Sequence, residues 1–555
     1  MPGPAQGGGG VVYHARRRLR PPSELASLRG ELLNRYEPPA RAVYVYVGGC
    51  HAEASREVAQ AFAESLGVGL DAPPSQDVGL FTVGCHGLCS VGPTALVSPP
   101  GVFYVNLAAK DVPRVAQQTL REDEIVMDLT LRDPSTGKPV PLRKDIPFFR
   151  LQTRRLMRNC GELDPQRIED SLMRGAYSRL AEVLEGGGPD EVIQKVESWG
   201  LRGRGIETSP CAEKWASFRQ SAGRSRRLLA YVRTWDTAAQ ADYVLLEGDP
   251  HLFLEGVALA ALATGCHAAH VLVPPGRPHA AGTIKAAIAQ AHAYGLLGEE
   301  ILGTTFSLEV DVETHKLMRL PYGEDGLNGA TGERRELFHN VETLANLPLI
   351  LAHAREGLKT VGPEEVRDTV LVSLAGSLGY RGVAEVVSGT PVAKVIEGLG
   401  GGVREGEELQ GISLGGPLGR MLTPRDLTHE RAGAAIGPGA GDVTTFSTQE
   451  CVVDLARRVA GFLVEESCGK CAPCRIGTTR LKEILDDFCR LEGDTTKLAA
   501  IHDIAQALHY AGACEQGRRG AACLLSALQG FEKAFLAHSP GGSCSAQVCG
   551  TQAAA

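Results

Sequence analysis

The stretch ESCGKCAPCRIGT, residues 466–478, sets Cys468, Cys471 and Cys474 at strict three-residue intervals. Two overlapping CxxC steps put three thiols around one face of a compact centre and leave one ligand to come from elsewhere. Thr478 stands four residues past Cys474, where a C-x2-C-x2-C-x3-C run would carry its fourth thiol, so this is not a complete local set. The best remote candidate is Cys514 in AGACEQG, 514 − 474 = 40 positions on and just past the helical segment LAAIHDIAQALHY. Three states compete: a [4Fe-4S] cluster, which takes four thiolates; a structural zinc ion; and free thiols. Zinc usually draws on separate Cys or Cys/His pairs, and no second CxxC answers this one. Lys470, Arg475 and the helix start after Cys474 supply positive potential that favours thiolates. The donor set favours the [4Fe-4S] cluster, with Cys489 and Cys523 packing as small hydrophobes in helical stripes.

A chain of 555 residues exceeds a single core and predicts roughly three to four domains. A net charge of −8 argues against an electrostatic nucleic-acid binder. No run of about 18 apolar residues is present, so no membrane span is expected, although a complex containing the chain could still be membrane-associated. The head, MPGPAQGGGGVVYHARRRLRPP, has no apolar signal region, and residues 1–40 read as a disordered tail in which RRRLR could touch an acidic partner. The expected location is cytoplasmic. Fifteen cysteines in such a chain point to metal rather than to a disulfide framework.

The pattern predicts an α/β multidomain chain. Residues 41–125 alternate short strands and helices, and 126–147, with RDPSTGKPVPLRKDIP, read as a linker. Residues 148–365 alternate helix-like and strand-like segments, and 366–440 form a Gly-punctuated mixed β unit. Residues 441–537 carry three amphipathic stripes that antiparallel packing would bury as a helical bundle. The close, GGSCSAQVCG, offers Cys544 and Cys549 as a further metal pair, but its polar small residues predict a flexible tail over 538–555.

ESCGKCAPCRIGT with its distant Cys resembles the cluster motif of the NADH-binding flavoprotein subunit of respiratory complex I, a type also found in NAD-linked hydrogenases and formate dehydrogenases. The likeness continues in RNCGELDPQRIEDSLMRGAY at 158–177, SWGLRGRG at 198–205, LLEGDPHLFLEGVALAA at 245–261 and HNVETLANLP at 339–348. It implies a Rossmann-like α/β domain for FMN and NADH, a β-grasp-like domain, and a bundle whose Cys468, Cys471, Cys474 and Cys514 hold a [4Fe-4S] cluster. The N-terminal unit resembles the thioredoxin-like [2Fe-2S] domain of the same systems. Cys50, Cys85 and Cys89 match its last three ligands, and Val45 stands at the first, so His51, His86 or solvent would have to complete a cluster. The implied partners are other redox subunits: iron–sulfur or ferredoxin-like chains, a dehydrogenase or a hydrogenase.

Departures from the family pattern concentrate at the flavin. GRGIETSPCAEKW at 203–215 has Ile206 and Thr208 in place of glycines, Glu207 beside a would-be phosphate, and Ser209 for an aromatic, while Lys214 and Trp215 remain. AYVRTWDTA at 230–238 replaces an Asn, Asp and Glu with Tyr231, Arg233 and Thr234, keeping Asp236. PYGEDGLNG at 321–329 offers Tyr322, Glu324 and Asp325, and HNVET keeps Asn340 but has His339. If flavin binds, Lys214, Glu324 and Asn340 are the residues to hold it. Two functions stay open: an iron–sulfur electron-transfer subunit, with or without FMN and NADH chemistry, and a catalytically silent scaffold in a multisubunit redox complex.

Overall fold

The computed structural model describes residues 18–70, 77–220, 225–233, 240–314, 328–331, 334–356, 368–428, 434–439 and 441–550. It is a mixed α/β structure with three main sheets and a C-terminal set of four long helices.

The first sheet has the order Val78–Val83, Arg41–Tyr46, Ala95–Ser98, Val102–Tyr104; its first pair is parallel and the others are antiparallel. Strand alternation sends Val43 and Val45 into a core with Val58 and Phe62 of helix Ala52–Leu66, and Tyr46 to the opposite face. The second sheet runs Asn328–Thr331, Arg334–Asn340, Ser225–Tyr231, Ala268–Val273, Glu309–Thr314, parallel except for the hairpin at its first edge. Helix Pro250–Thr264 is apolar on nearly every face because it lies between other elements. It meets helix Val341–Glu356 so closely that a Cβ on Gly256 would lie 2.0 Å from the Leu344 carbonyl oxygen. The third sheet, Gly382–Val387, Thr369–Gly376, Asp442–Ser447, Leu409–Leu414, Arg420–Leu422, is mixed.

The four bundle helices are Val452–Glu465, Ala472–Cys489, Thr495–Ala511 and Glu515–Ala537. Val459, Leu463, Leu481, Leu485, Phe488, Ile501, Leu508 and Leu524 form their shared core. Burial of each such side chain is worth about 1.5–3 kcal/mol, which is what holds helices of this length together in water.

Three segments differ from the sequence expectation. The tail over 1–40 carries helix Ser23–Arg35, whose Leu25 and Leu32 are buried, and the Leu19 N–H donates to the Tyr294 carbonyl at 2.9 Å. The i, i+3, i+7 spacing of Leu25, Leu28 and Leu32 outweighs the polar composition around them. The linker over 126–147 forms a small ribbon, Leu131–Arg132 against Pro139–Val140, with Val126, Leu131 and Ile146 buried. The tail from 538 folds back on the bundle as far as residue 550, burying His538 and Cys544.

Candidate functional site

The first bundle helix stops at Glu465, and a short loop carries Cys468 to the second helix, which has Cys471 as its N-cap and Cys474 in its first turn. Cys514 is the N-cap of the fourth helix. Three of the four cysteines therefore sit at helix N-termini, where unpaired N–H groups and the helix dipole favour a thiolate. The Gly517 and Gln516 N–H groups at the start of the fourth helix favour the Cys514 thiolate against the burial that pushes its thiol up, and the Ser467 hydroxyl lies 3.3 Å from the Cys474 sulfur. Burial pushes the Cys474 thiol up, Ser467 draws it down, and Cys471, Cys514 and Cys468 push it up again, so the four sulfurs feel one another. Four half-buried to buried thiols with N–H donors, and no carboxylate among them, are a donor set that fits a [4Fe-4S] cluster.

Among the described residues, the cleft where a flavin would lie is filled. Lys214 donates from Nζ to Glu207 Oε2 at 2.7 Å and to the Phe338 carbonyl at 2.6 Å. The Ile206 N–H donates to the Tyr231 hydroxyl at 3.0 Å, and a Cβ on Gly205 would lie 2.0 Å from that hydroxyl. Behind it, Arg233 is 2% exposed and bridges Asp242 at 3.2 Å and Glu342 at 2.8 Å. Asn340 donates to Asp242 at 2.7 Å and accepts from the Glu342 N–H at 2.9 Å, so it serves the start of helix Val341–Glu356. Burial raises the Glu342 carboxyl to about 7, with Arg233 pulling the other way. The remaining cavity, lined by Gly203, Gly205, Glu207, Lys214 and Tyr231 among others, holds about 10 Å³. That is room for about one water, against the several hundred Å³ of an ordinary cofactor pocket. The phosphate-binding groups are spent within the protein and a carboxylate stands beside them, so these residues do not fit FMN. Glu324, with Tyr322 and Asp325, lies outside the described residues, as do Thr234 and Asp236.

Cys50, Cys85 and Cys89 meet in a pocket of about 30 Å³ with Tyr46, His51 and His86. A hydrogen bond from Cys89, opposed by burial, brings the Cys50 thiol down to about 6. His86 cannot complete a ligand set, because its Nε2 is paired with the Thr94 hydroxyl at 2.9 Å and its Nδ1 accepts from the Leu88 N–H at 3.1 Å. His51 Nε2 lies 3.0 Å from the Cys89 carbonyl oxygen, and Val45 faces the core on the other side of its strand. Three thiols fall short of the four-thiolate set of an ordinary [2Fe-2S] cluster. The Gly49 N–H donates to Glu247 at 2.7 Å, docking this pocket against helix Ala241–Gly248.

Two features were not joined by sequence reasoning. Arg519 donates to the carbonyls of Leu418, Ile206 and Gly439 at 2.9, 2.6 and 2.8 Å, tying the bundle to the filled cleft and the third sheet. Cys451, His538, Cys544 and Cys549 gather at the far end of the bundle. The available signal was the C-x4-C step in the tail, but its two partners lie on other elements.

Residues 454–538 match the NADH-ubiquinone oxidoreductase-F iron-sulfur binding region, and residues 196–349 match the Nuo51 FMN-binding domain. The chain is 31% identical over 422 residues to HndC, an NADP-reducing hydrogenase subunit of Solidesulfovibrio fructosivorans, covering 72% of this chain and 86% of that one. It belongs to the family of F-type NADH-quinone oxidoreductase subunits and their hydrogenase counterparts. Another member, the second F-type NADH-quinone oxidoreductase chain of Rhizobium meliloti (strain 1021), is 28% identical over 408 residues, covering 69% of this chain and 97% of the relative. The NAD+-reducing [NiFe]-hydrogenase in its H2-reduced state contains a chain of the same fold, with a TM-score of 0.56 and 20% identity over 94% of this chain and 88% of that one. Membership of this family makes the protein an electron-transfer redox component related to complex I, with a [4Fe-4S] binding region and the family's flavin domain, whose cleft is filled here.

Proposed function

We propose that this chain is an iron–sulfur relay within a multisubunit redox complex, receiving or delivering electrons through partner subunits rather than through a flavin of its own. Cys468, Cys471, Cys474 and Cys514 hold the cluster, and such a cluster passes electrons one at a time. The chain's contribution is to fix three of the four thiols at helix starts, to set the Gly517 and Gln516 N–H groups beside Cys514, and to limit water around half-buried ligands. The observation that carries this reading is the contrast between an intact thiol set and a cleft closed by Tyr231, Arg233 and the Lys214–Glu207 pair.

In this reading the first sheet is a thioredoxin-like docking domain and the second a Rossmann-like domain of flavoprotein ancestry. The third is β-grasp-like, and the helices form the cluster-bearing bundle. The relatives' names, one from a hydrogenase and one from a quinone oxidoreductase, support dehydrogenase, hydrogenase or ferredoxin-like partners. Among the described residues no helix is long and apolar enough to cross a membrane, which is consistent with contact through protein surfaces. A second reading, a silent scaffold, is favoured by the incomplete N-terminal thiol set.

Anaerobic purification of the full chain followed by EPR of the reduced protein separates the two readings. A reducible cluster signal that is lost or altered in Cys514→Ser supports the relay. Iron-free protein would leave the scaffold standing, and an unchanged signal in Cys514→Ser would refute that ligand.

A further inference from the structure

Cys50, Cys85 and Cys89 come from two loops of the first-sheet domain and line one pocket of about 30 Å³ with His51, Ser55, Pro93 and Thr94. That is room for about two waters between the three thiols. Cys50 ends the turn after strand Arg41–Tyr46 and is exposed. It stands one residue before His51, the N-cap of helix Ala52–Leu66, a position that favours the thiolate. Cys85 and Cys89 lie in the loop after strand Val78–Val83 and are half-buried.

The contacts around the pocket pair two of the three thiols. His51 Nε2 is 3.0 Å from the Cys89 carbonyl oxygen, and a Cβ on Gly92 would lie 2.4 Å from the His51 ring, so the helix start and the Cys89 loop are held against each other. Cys50 and Cys89 each act on the other's thiol more strongly than any other group does, and Cys85 comes second at Cys89. Cys89 donates from its sulfur to the Gly87 carbonyl at 3.5 Å, as a protonated thiol does. Cys85 packs elsewhere: a Cβ on Gly48 would be 3.2 Å from its Cβ and 3.4 Å from its sulfur. One exposed thiol at a helix start, with a second, half-buried thiol beside it, is the arrangement that thiol–disulfide exchange requires.

We infer that Cys50 and Cys89 form a redox-active dithiol that exchanges with low-molecular-weight disulfides, Cys50 as the attacking thiolate and Cys89 as the resolving thiol. The Cys50 thiolate attacks one sulfur of the disulfide RSSR, forming a Cys50–S–S–R bond as the RS–SR bond breaks and one RS⁻ leaves. Cys89 then attacks the Cys50 sulfur, the Cys50–Cys89 bond forms, and the second RS⁻ leaves. The protons of Cys50 and Cys89 end on the two leaving thiolates, so two thiols are oxidised to one disulfide and RSSR is reduced to two RSH. This is a two-electron exchange, separate from the one-electron relay of the bundle and not dependent on it. Its place gives it a consequence for docking. The Gly49 N–H beside Cys50 donates to Glu247 at 2.7 Å, so the disulfide ties the helix start to the Cys89 loop at the seam with helix Ala241–Gly248.

The test equilibrates the anaerobically purified full chain with glutathione and glutathione disulfide over a series of ratios, traps free thiols by alkylation, and maps the cysteines by peptide mass spectrometry. A Cys50–Cys89 disulfide that forms in one two-electron step, with Cys85 alkylated as a free thiol throughout, supports the inference. Cys89→Ser should stop at a mixed disulfide between Cys50 and glutathione, and Cys50→Ser should give neither product while keeping the iron content of the parent. Three free thiols at every ratio, a disulfide that pairs Cys85 with either of the others, or iron lost in Cys50→Ser would each overturn it. The parent map decides the matter even if a variant fails to fold.

Discussion

Replacing Arg233 with Met should destabilise the α/β domain severely and in a pH-dependent way. The guanidinium is buried between Asp242 and Glu342, with Nη2 at 3.2 and 2.8 Å from their oxygens, and its own N–H donates to Asp242 at 2.6 Å. Removing the cation takes from two buried carboxyl groups their direct ion-pair partner, leaving only the more weakly acting Arg204 near Glu342, and breaking such a buried pair costs about 3–5 kcal/mol. Trp215 is fully buried in the core that surrounds the same sheet, so tryptophan fluorescence reports the unfolding of this region. At a urea slope of about 2 kcal/mol/M the midpoint should fall by about 1.5–2.5 M at pH 8. The Glu342 carboxyl already titrates near 7, above its usual 4.5, and loss of Arg233 raises it further. A raised folded-state pKa gives stability that is full below the unfolded value and is lost as pH rises through the folded one. The variant should therefore recover toward the parent as pH falls from 8 to 6, and Arg233→Met/Asp242→Asn/Glu342→Gln should recover most of the loss at pH 8. A cost below about 1 kcal/mol at pH 8, or parallel pH profiles for variant and parent, would refute a buried ion cluster as the closure of this cleft.

Glu255, buried and raised to about 7 by desolvation against the N–H groups of Leu180, Tyr177 and Arg179, follows the same sign. It makes the domain up to about 3 kcal/mol more stable at pH 4.5 than at pH 8, and Glu255→Gln should flatten that part of the urea-midpoint profile. Arg519→Ala should cost at least about 2 kcal/mol by removing a donor from four carbonyls, and faster amide exchange around Gly205 and Ile206 should show where the bundle lets go.

What could be read from the sequence depended on how locally it was written. Cys468, Cys471 and Cys474 announce themselves because three-residue spacing around a helix start is itself the site geometry, and Cys514 follows from the helix that ends just before it. The flavin departures were visible as substitutions, but the pairing of Arg233 with Glu342, 109 positions away, is a product of the sheet that brings the ends of two parallel strands together. Cys451 and His538 are 87 positions apart and become neighbours only because the first and fourth bundle helices run antiparallel. The Gly-rich and Arg-rich head hid the leucine stripe of helix Ser23–Arg35, and small polar residues around Cys544 and Cys549 looked like a tail although their thiols are the part that packs.

Cofactor stoichiometry of the anaerobically purified full chain tests the central claim most directly, with iron and acid-labile sulfide measured alongside released flavin. The account predicts four iron and four sulfide attached to Cys468, Cys471, Cys474 and Cys514, and no flavin in the cleft closed by Tyr231 and Arg233. One FMN per chain, or protein without iron, would contradict it.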